Sequence, residues 1–205
     1  MGKSLEVRGP DAHRNLRLFV ALEPPDAVRR RLAALAADLR RAAGLAADTV
    51  RWVEAENVHL TLQFLGAVPQ ERLGDVVAAV RAAASSSRPL SLEVKGAGGF
   101  PNARRPRVVW AGVSGDAAAL EALAADLGRR LGPLGFPPEE RAFSAHLPLG
   151  RARDRRGAPG LGGALARAVE QAPAPWRAAE VVLFESHLSP RGPRYEAIAR
   201  APLGA

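Results

Sequence analysis

The sequence predicts an α+β fold built from two duplicated lobes, on three observations. Short apolar runs with strand-like alternation are dispersed among amphipathic helical segments. Several of the runs follow one another directly as hairpins, which a doubly wound parallel sheet would not give. A helical octapeptide also recurs: "LAALAADL" at 32–39 and "LEALAADL" at 120–127 agree at seven of eight positions. The chain has 205 residues, of which 47% are hydrophobic, enough for one domain with a proper core.

The elements follow in order. "NLRLFVAL" alternates and stops at "EPP", so it reads as a strand. Pro24 and Pro25 suit a helix's first turn. The helix they open carries Val28, Leu32, Leu35 and Leu39 on one face and ends at Gly44. "VRWV" at 50–53 is a short strand and "ENVHLTLQFLG" the next. Residues 69–87 form a second helix that runs out in serines. "PLSLEVKGAGGF" and "RPRVVWAGV" are two strands joined through "GGFPNARRP". A third helix ends near Gly132, "FSAHLPLGRAR" is a strand, and "LGGALARAVEQA" a short helix. "WRAAEVVLFESHLS" and "RYEAIARAPL" close the chain as a strand pair around "SPRGP".

Composition narrows the chemistry. There is no cysteine, hence no disulfide and no thiolate metal site, which suits a reducing cytoplasm. No apolar run reaches the ~18 residues of a membrane span. The first 14 residues lack the apolar core of a signal peptide and read as a flexible tail before a single domain at 15–203. Net charge is +8, and only two of the 29 basic residues are lysines. An arginine-rich surface can arise from base composition alone. It also favours phosphate-bearing partners, because the guanidinium fork matches phosphate oxygens. There is no glycine-rich dinucleotide fingerprint and no phosphate loop.

Two strands carry the chemistry. His59-Leu60-Thr61-Leu62 and His146-Leu147-Pro148-Leu149 share a pattern, and the two histidines lie 87 residues apart, against 88 for the octapeptide. Helix and histidine strand therefore recur together. Simple alternation puts His59, Thr61 and Gln63 on one face of the strand, with Leu60, Leu62 and Phe64 on the other. In the second copy it puts His146 and Pro148 together and leaves Arg151 on the wrong face unless a bulge intervenes. A lone histidine on an apolar strand is usually a packing residue. Two on duplicated strands can flank one substrate, one ring neutral and the other protonated. His13, in the tail, reads as incidental and His187 as structural.

These residues give the chain a family resemblance. "WVEAENVHLTLQFLG", "GGFPNARRPRVVWAGV" and "VVLFESHLSPRGPRYEAIA", with the two histidine tetrapeptides, resemble the two-histidine phosphoesterases, specifically the bacterial RNA 2',3'-cyclic phosphodiesterases also called 2'-5' RNA ligases. The similarity runs from about residue 15 to 201. It implies a bilobal fold, each lobe an antiparallel sheet with helices on its outer face, the first motif in one lobe and the second in the other, and the active site in the cleft between. It implies hydrolysis of RNA or nucleoside 2',3'-cyclic phosphate to a 2'-phosphomonoester without metal or cofactor, with reversible ligation as a further activity. His59 becomes the proton donor and His146 the proton acceptor. Thr61 and Arg151 become phosphate contacts, and Phe64, Arg191 and Tyr195 contacts to base or substrate. The expected partners are RNA ends or small cyclic nucleotides, acted on by a cytoplasmic monomer.

One position departs from the pattern. Pro148 stands where the family has Thr or Ser, so a hydroxyl is missing from the second motif. That keeps open a non-catalytic RNA-end or nucleotide binder of the same fold. A zinc hydrolase on the same histidines lacks further ligands at any familiar spacing.

Overall fold

The structure, a computed structural model, describes residues 14–168, 174–190 and 192–204. His13, Arg191 and the rest of the expected N-terminal tail lie outside the described residues.

The first strand, β1 (Asn15–Leu22), alternates as its sequence predicts. Leu18, Val20 and Leu22 enter the main core, while Phe19 and Ala21 point to the opposite face. Helix α1 (Asp26–Ala43) follows Pro25 and ends at Gly44, whose positive φ reverses the chain without a Cβ penalty. Its buried stripe is Val28, Leu32, Leu35 and Leu39. A 3-10 segment (Gly44–Thr49), not evident in the sequence, leads into β2 (Val50–Trp52). Then come β3 (Leu60–Pro69), α2 (Leu73–Ser85), β4 (Leu90–Phe100) and β5 (Val108–Gly115). The second half continues with α3 (Ala117–Leu131), β6 (His146–Ala152), α4 (Gly162–Ala168), β7 (Ala174–Ala178), β8 (Glu180–Ser189) and β9 (Gly192–Pro202).

Two antiparallel sheets result, with strand orders β3-β1-β8-β9 and β2-β6-β5-β4-β7. The duplication is written in these orders. Pairing β3 with β6, β1 with β5, β8 with β4 and β9 with β7 maps the first sheet onto the second, leaving β2 as an extra edge. The octapeptides sit on α1 and α3, as this mapping requires. Each half contributes strands to both sheets, because β4 joins the second sheet and β8 the first. Helices are exchanged in the same way: α1 packs on α4 and β7, whereas α3 packs on α2 and β3. One continuous core runs behind both sheets. A small separate cluster, Phe19, Ala21, Val182 and Phe184 with Tyr195 against it, covers the other face of the first sheet. The histidine strands β3 and β6 touch each other, so the two lobes meet where the motifs lie.

Alternation fails in each histidine strand at the same place and in the same way, and β3 slips a second time further on, at Leu65. Between β1 and β3, Ala21 pairs with Thr61 but Val20 pairs with Gln63, so Leu62 is an extra residue. Between β5 and β6, Trp110 pairs with Pro148 but Val109 pairs with Gly150, so Leu149 is extra. Each of these two bulges falls on the fourth residue of its H-L-x-L segment. Beyond it, side chains swap faces. The expected grouping of Gln63 with His59, and of Phe64 with the core leucines, is therefore wrong. Gln63 pairs with the core residue Val20, is buried, and donates from Nε2 to the Phe136 carbonyl at 2.8 Å. Phe64 pairs with Phe19 on the opposite face and is 50% exposed. The bulge at Leu149 supplies what Arg151 needs. Arg151 pairs with Val108, two residues from Trp110 on β5, and so shares the face of Pro148 and His146.

Candidate active site

His59 sits at the entrance to β3, two residues after a one-turn 3-10 segment (Ala55–Asn57) held by bonds from Asn57 N to the Glu54 carbonyl and from Val58 N to the Ala55 carbonyl. Arg29 braces this turn: it pairs with Glu23 at 2.6 Å and reaches the Glu56 carbonyl at 3.4 Å. The His59 ring is 8% exposed and stacks on Phe19 with centroids 4.5 Å apart. Tyr195 meets it edge-on at 4.9 Å.

His146 opens β6 and is more accessible than His59, with Phe100 edge-on at 5.0 Å. Each ring makes a polar contact of the same kind. His59 Nδ1 lies 2.9 Å from the carbonyl of Asn57 and His146 Nδ1 2.7 Å from that of Ser144, in both cases the carbonyl two residues earlier. A carbonyl can only accept, so each Nδ1 carries the proton. That leaves Nε2 of each ring, when neutral, as the lone-pair nitrogen.

The electrostatics of the two rings are coupled across the lobes. Burial pulls the pKa of His59 down to about 4. The Asn57 carbonyl works against this, the Arg151 guanidinium adds to it, Glu23 raises it again, and the charge of His146 lowers it. His59 is therefore neutral at neutral pH. Arg151 belongs to the second motif yet acts on the histidine of the first, as expected if the two strands meet across a shared cleft. Burial also raises the Tyr195 hydroxyl, and Arg151 and Arg17 pull it back. Glu23 would rise through burial, but hydrogen bonds from Arg200 and Arg29 outweigh that and hold it ionised.

Of the residues singled out in the sequence, His59, Thr61, Phe64 and Tyr195 gather on one face of the first sheet, and His146 and Arg151 on one face of the second. Thr61 is half-buried opposite Ala21. Arg191 lies outside the described residues. His187 stands on β8 between Glu185 and Glu196, at 3.7 and 3.3 Å, away from the two motif histidines in any described contact. Sequence reading missed Phe19, Phe100, Trp110 and Arg51. Phe19 alternates away from the core leucines of β1, a signal that was there to be read. Trp110 lies across Gly98 on the neighbouring strand, where a Cβ would come within 2.3 Å of the indole. Among the described residues, no group of three or more His, Cys, Asp or Glu could hold a metal ion, and no helix is long and apolar enough to cross a membrane.

Comparison with known proteins bears on the same residues. A family model described as LigT-like phosphoesterase matches residues 22–110 and 112–195, both histidine motifs included. The RNA 2',3'-cyclic phosphodiesterase of Archaeoglobus fulgidus is 33% identical over 181 residues, 88% of this chain and 97% of its own. That of Methanothermobacter thermautotrophicus is 32% identical over 180 residues, 88% of this chain and 95% of its own. Among solved structures, TT0787 of Thermus thermophilus superposes with a TM-score of 0.74 at 26% identity, covering 92% of this chain and 98% of the other. E. coli LigT complexed with 3'-AMP superposes with 0.68 at 26% identity, covering 93% and 99%. With its sheet pairing, its duplicated histidine strands and these matches, the chain belongs to the LigT-like phosphoesterases, the two-histidine phosphoesterase family.

Proposed function

We propose that this protein hydrolyses RNA or nucleoside 2',3'-cyclic phosphates to 2'-phosphomonoesters, without metal, by paired acid–base catalysis on His59 and His146. One observation carries the reading: two equivalent strands meet, each presenting a histidine whose Nδ1 is tied to the carbonyl two residues before it. The reaction needs two opposite proton transfers. Water loses a proton as its oxygen attacks phosphorus, and the departing 3'-oxygen gains one. Two Nε2 atoms flanking the phosphate supply both. The relatives named RNA 2',3'-cyclic phosphodiesterase support this substrate class.

His146 serves as base and His59 as acid. In the free protein His59 is neutral, so the acid must be charged on binding. A phosphate anion opposes the Arg151 charge that lowers His59, and so favours its protonation. Arg151 and Thr61 take the phosphoryl oxygens, where charge develops in the transition state. Phe64 offers an exposed ring beside Phe19 for a nucleobase.

The test is turnover of a nucleoside 2',3'-cyclic phosphate in the presence of a strong chelator. Activity that survives chelation, and that falls by about 1,000-fold or more in both His59→Ala and His146→Ala, supports the mechanism. Activity abolished by chelator and restored by metal, or indifferent to either histidine, would sink it.

A further inference from the structure

Arg51 stands directly opposite Arg151 in the β2–β6 pair. Residues opposite each other in an antiparallel pair point to the same face, so Arg51 shares the face of Arg151, Pro148 and His146. Its neighbours agree with this orientation. Val50 is buried in the core, and Trp52 turns the other way, donating from Nε1 to the Ala47 carbonyl at 3.1 Å beneath the guanidinium of Arg40. Like charges directly across a ladder repel each other. Among the described residues neither guanidinium has an ion-pair or hydrogen-bond partner, whereas other arginines of the molecule are paired with carboxylates, as Arg29 with Glu23 and Arg88 with Asp116. An exposed pair of this kind on a cleft face is suited to an anion.

The two arginines are not equivalent. Arg151 is the one whose charge bears on His59 and Tyr195. Arg51 lies one strand further out, about 4.8 Å away across the sheet. We propose that Arg51 forms, beside Arg151, a second phosphate subsite that takes the internal phosphodiester next to the cyclic phosphate, and so makes the protein prefer an RNA end to a free cyclic nucleotide. This rests on the hydrolytic reading above for the placement of the terminal phosphate. An RNA strand whose end lies between the histidines would continue over β6 towards β2, the edge strand of its sheet.

The experiment is a cycle of two substrates and two proteins. Both substrates are adenosine dinucleotides ending in a 2',3'-cyclic phosphate. One has a phosphodiester linkage and the other an uncharged methylphosphonate linkage. Wild-type protein is compared with Arg51→Met, which keeps the apolar stem. The expected result is that wild type prefers the charged linkage by about tenfold, mainly through KM, and that Arg51→Met erases the preference. Arg51→Lys should retain part of it. A preference that is absent in wild type, or that survives Arg51→Met, overturns the proposal; so does a loss equal for both substrates. The same cycle run by calorimetry on the corresponding 2'-phosphate products reads the subsite without turnover. A linkage preference that depends on Arg51 in binding, with no hydrolysis of either substrate, would refute the hydrolytic function and leave the subsite standing.

Discussion

At the scale of the residue, the two motifs differ most at Thr61 and Pro148. Pro148 has neither hydroxyl nor N–H, and it sits one position before the bulge at Leu149, where a strand interior best tolerates a residue that cannot donate to the ladder. If Thr61 donates one hydrogen bond to the phosphorane, the second motif lacks its counterpart. A lost donor of this kind is worth roughly 100- to 1,000-fold in rate. Pro148→Thr is therefore expected to raise kcat on a 2',3'-cyclic phosphate with little change in KM. A steady-state comparison at fixed salt checks it, and unchanged or lower turnover would mean that another group already replaces the donor. His59 offers a second measurement. Arg151 lowers its pKa, so Arg151→Met should move the His59 titration upward from about 4, as read from its ring protons by NMR. A titration that does not move would show that the Arg151 charge does not reach His59.

At the scale of the element, the two bulges decide what the cleft contains. Each falls three residues after its histidine, at Leu62 and Leu149, and each returns the residue five places after the histidine to the histidine's face: Phe64 in one copy, Arg151 in the other. Equivalent positions thus carry an aromatic ring on one side and a guanidinium on the other. Phe64 is exposed, and its removal leaves no cavity in the core. Phe64→Ala is expected to raise KM for a cyclic nucleotide by about 5- to 100-fold, the range of a lost base stack, with unfolding temperature nearly unchanged. A KM that stays put would return Phe64 to the role of a surface residue. The bulges also mark where the sequence stopped being legible. Element order, the duplicated helix and both histidines could be read from periodicity and spacing, because those signals lie within one segment. A one-residue slip in register depends on the partner strand. Nothing in "HLTLQF" announces that Leu62 and Gln63 both turn inward, and so the sequence put Gln63 in the cleft and Phe64 in the core. The bulge for Arg151 was readable only as a condition that its role required.

At the scale of the whole molecule, the exchange of β4 and β8 between lobes ties the two motifs into one structure. The same continuous core lies behind both sheets, so the histidines are held by packing contributed from both halves of the chain. The cost appears in the pH dependence of stability. His59 is buried neutral with its pKa lowered from 6.5 to about 4, so between those values the unfolded chain binds the extra proton. Stability contributed by this residue is complete above about pH 6.5, is lost as pH falls towards 4, and changes no further below it. The full loss is about 3 kcal/mol. Denaturant unfolding from pH 7 to pH 4 should show this slope in the wild type and a shallower one in His59→Gln. Equal slopes would mean that the ring is not held neutral by the fold.

The central claim is that two histidines carried in from duplicated strands cleave the 3' side of a cyclic phosphate. The most direct measurement is the identity of the product formed from adenosine 2',3'-cyclic phosphate in chelator, resolved against authentic 2'- and 3'-monophosphates. The account predicts adenosine 2'-phosphate alone, lost in both histidine variants. Formation of the 3'-phosphate, of both isomers together, or of no product by the wild-type protein would contradict it.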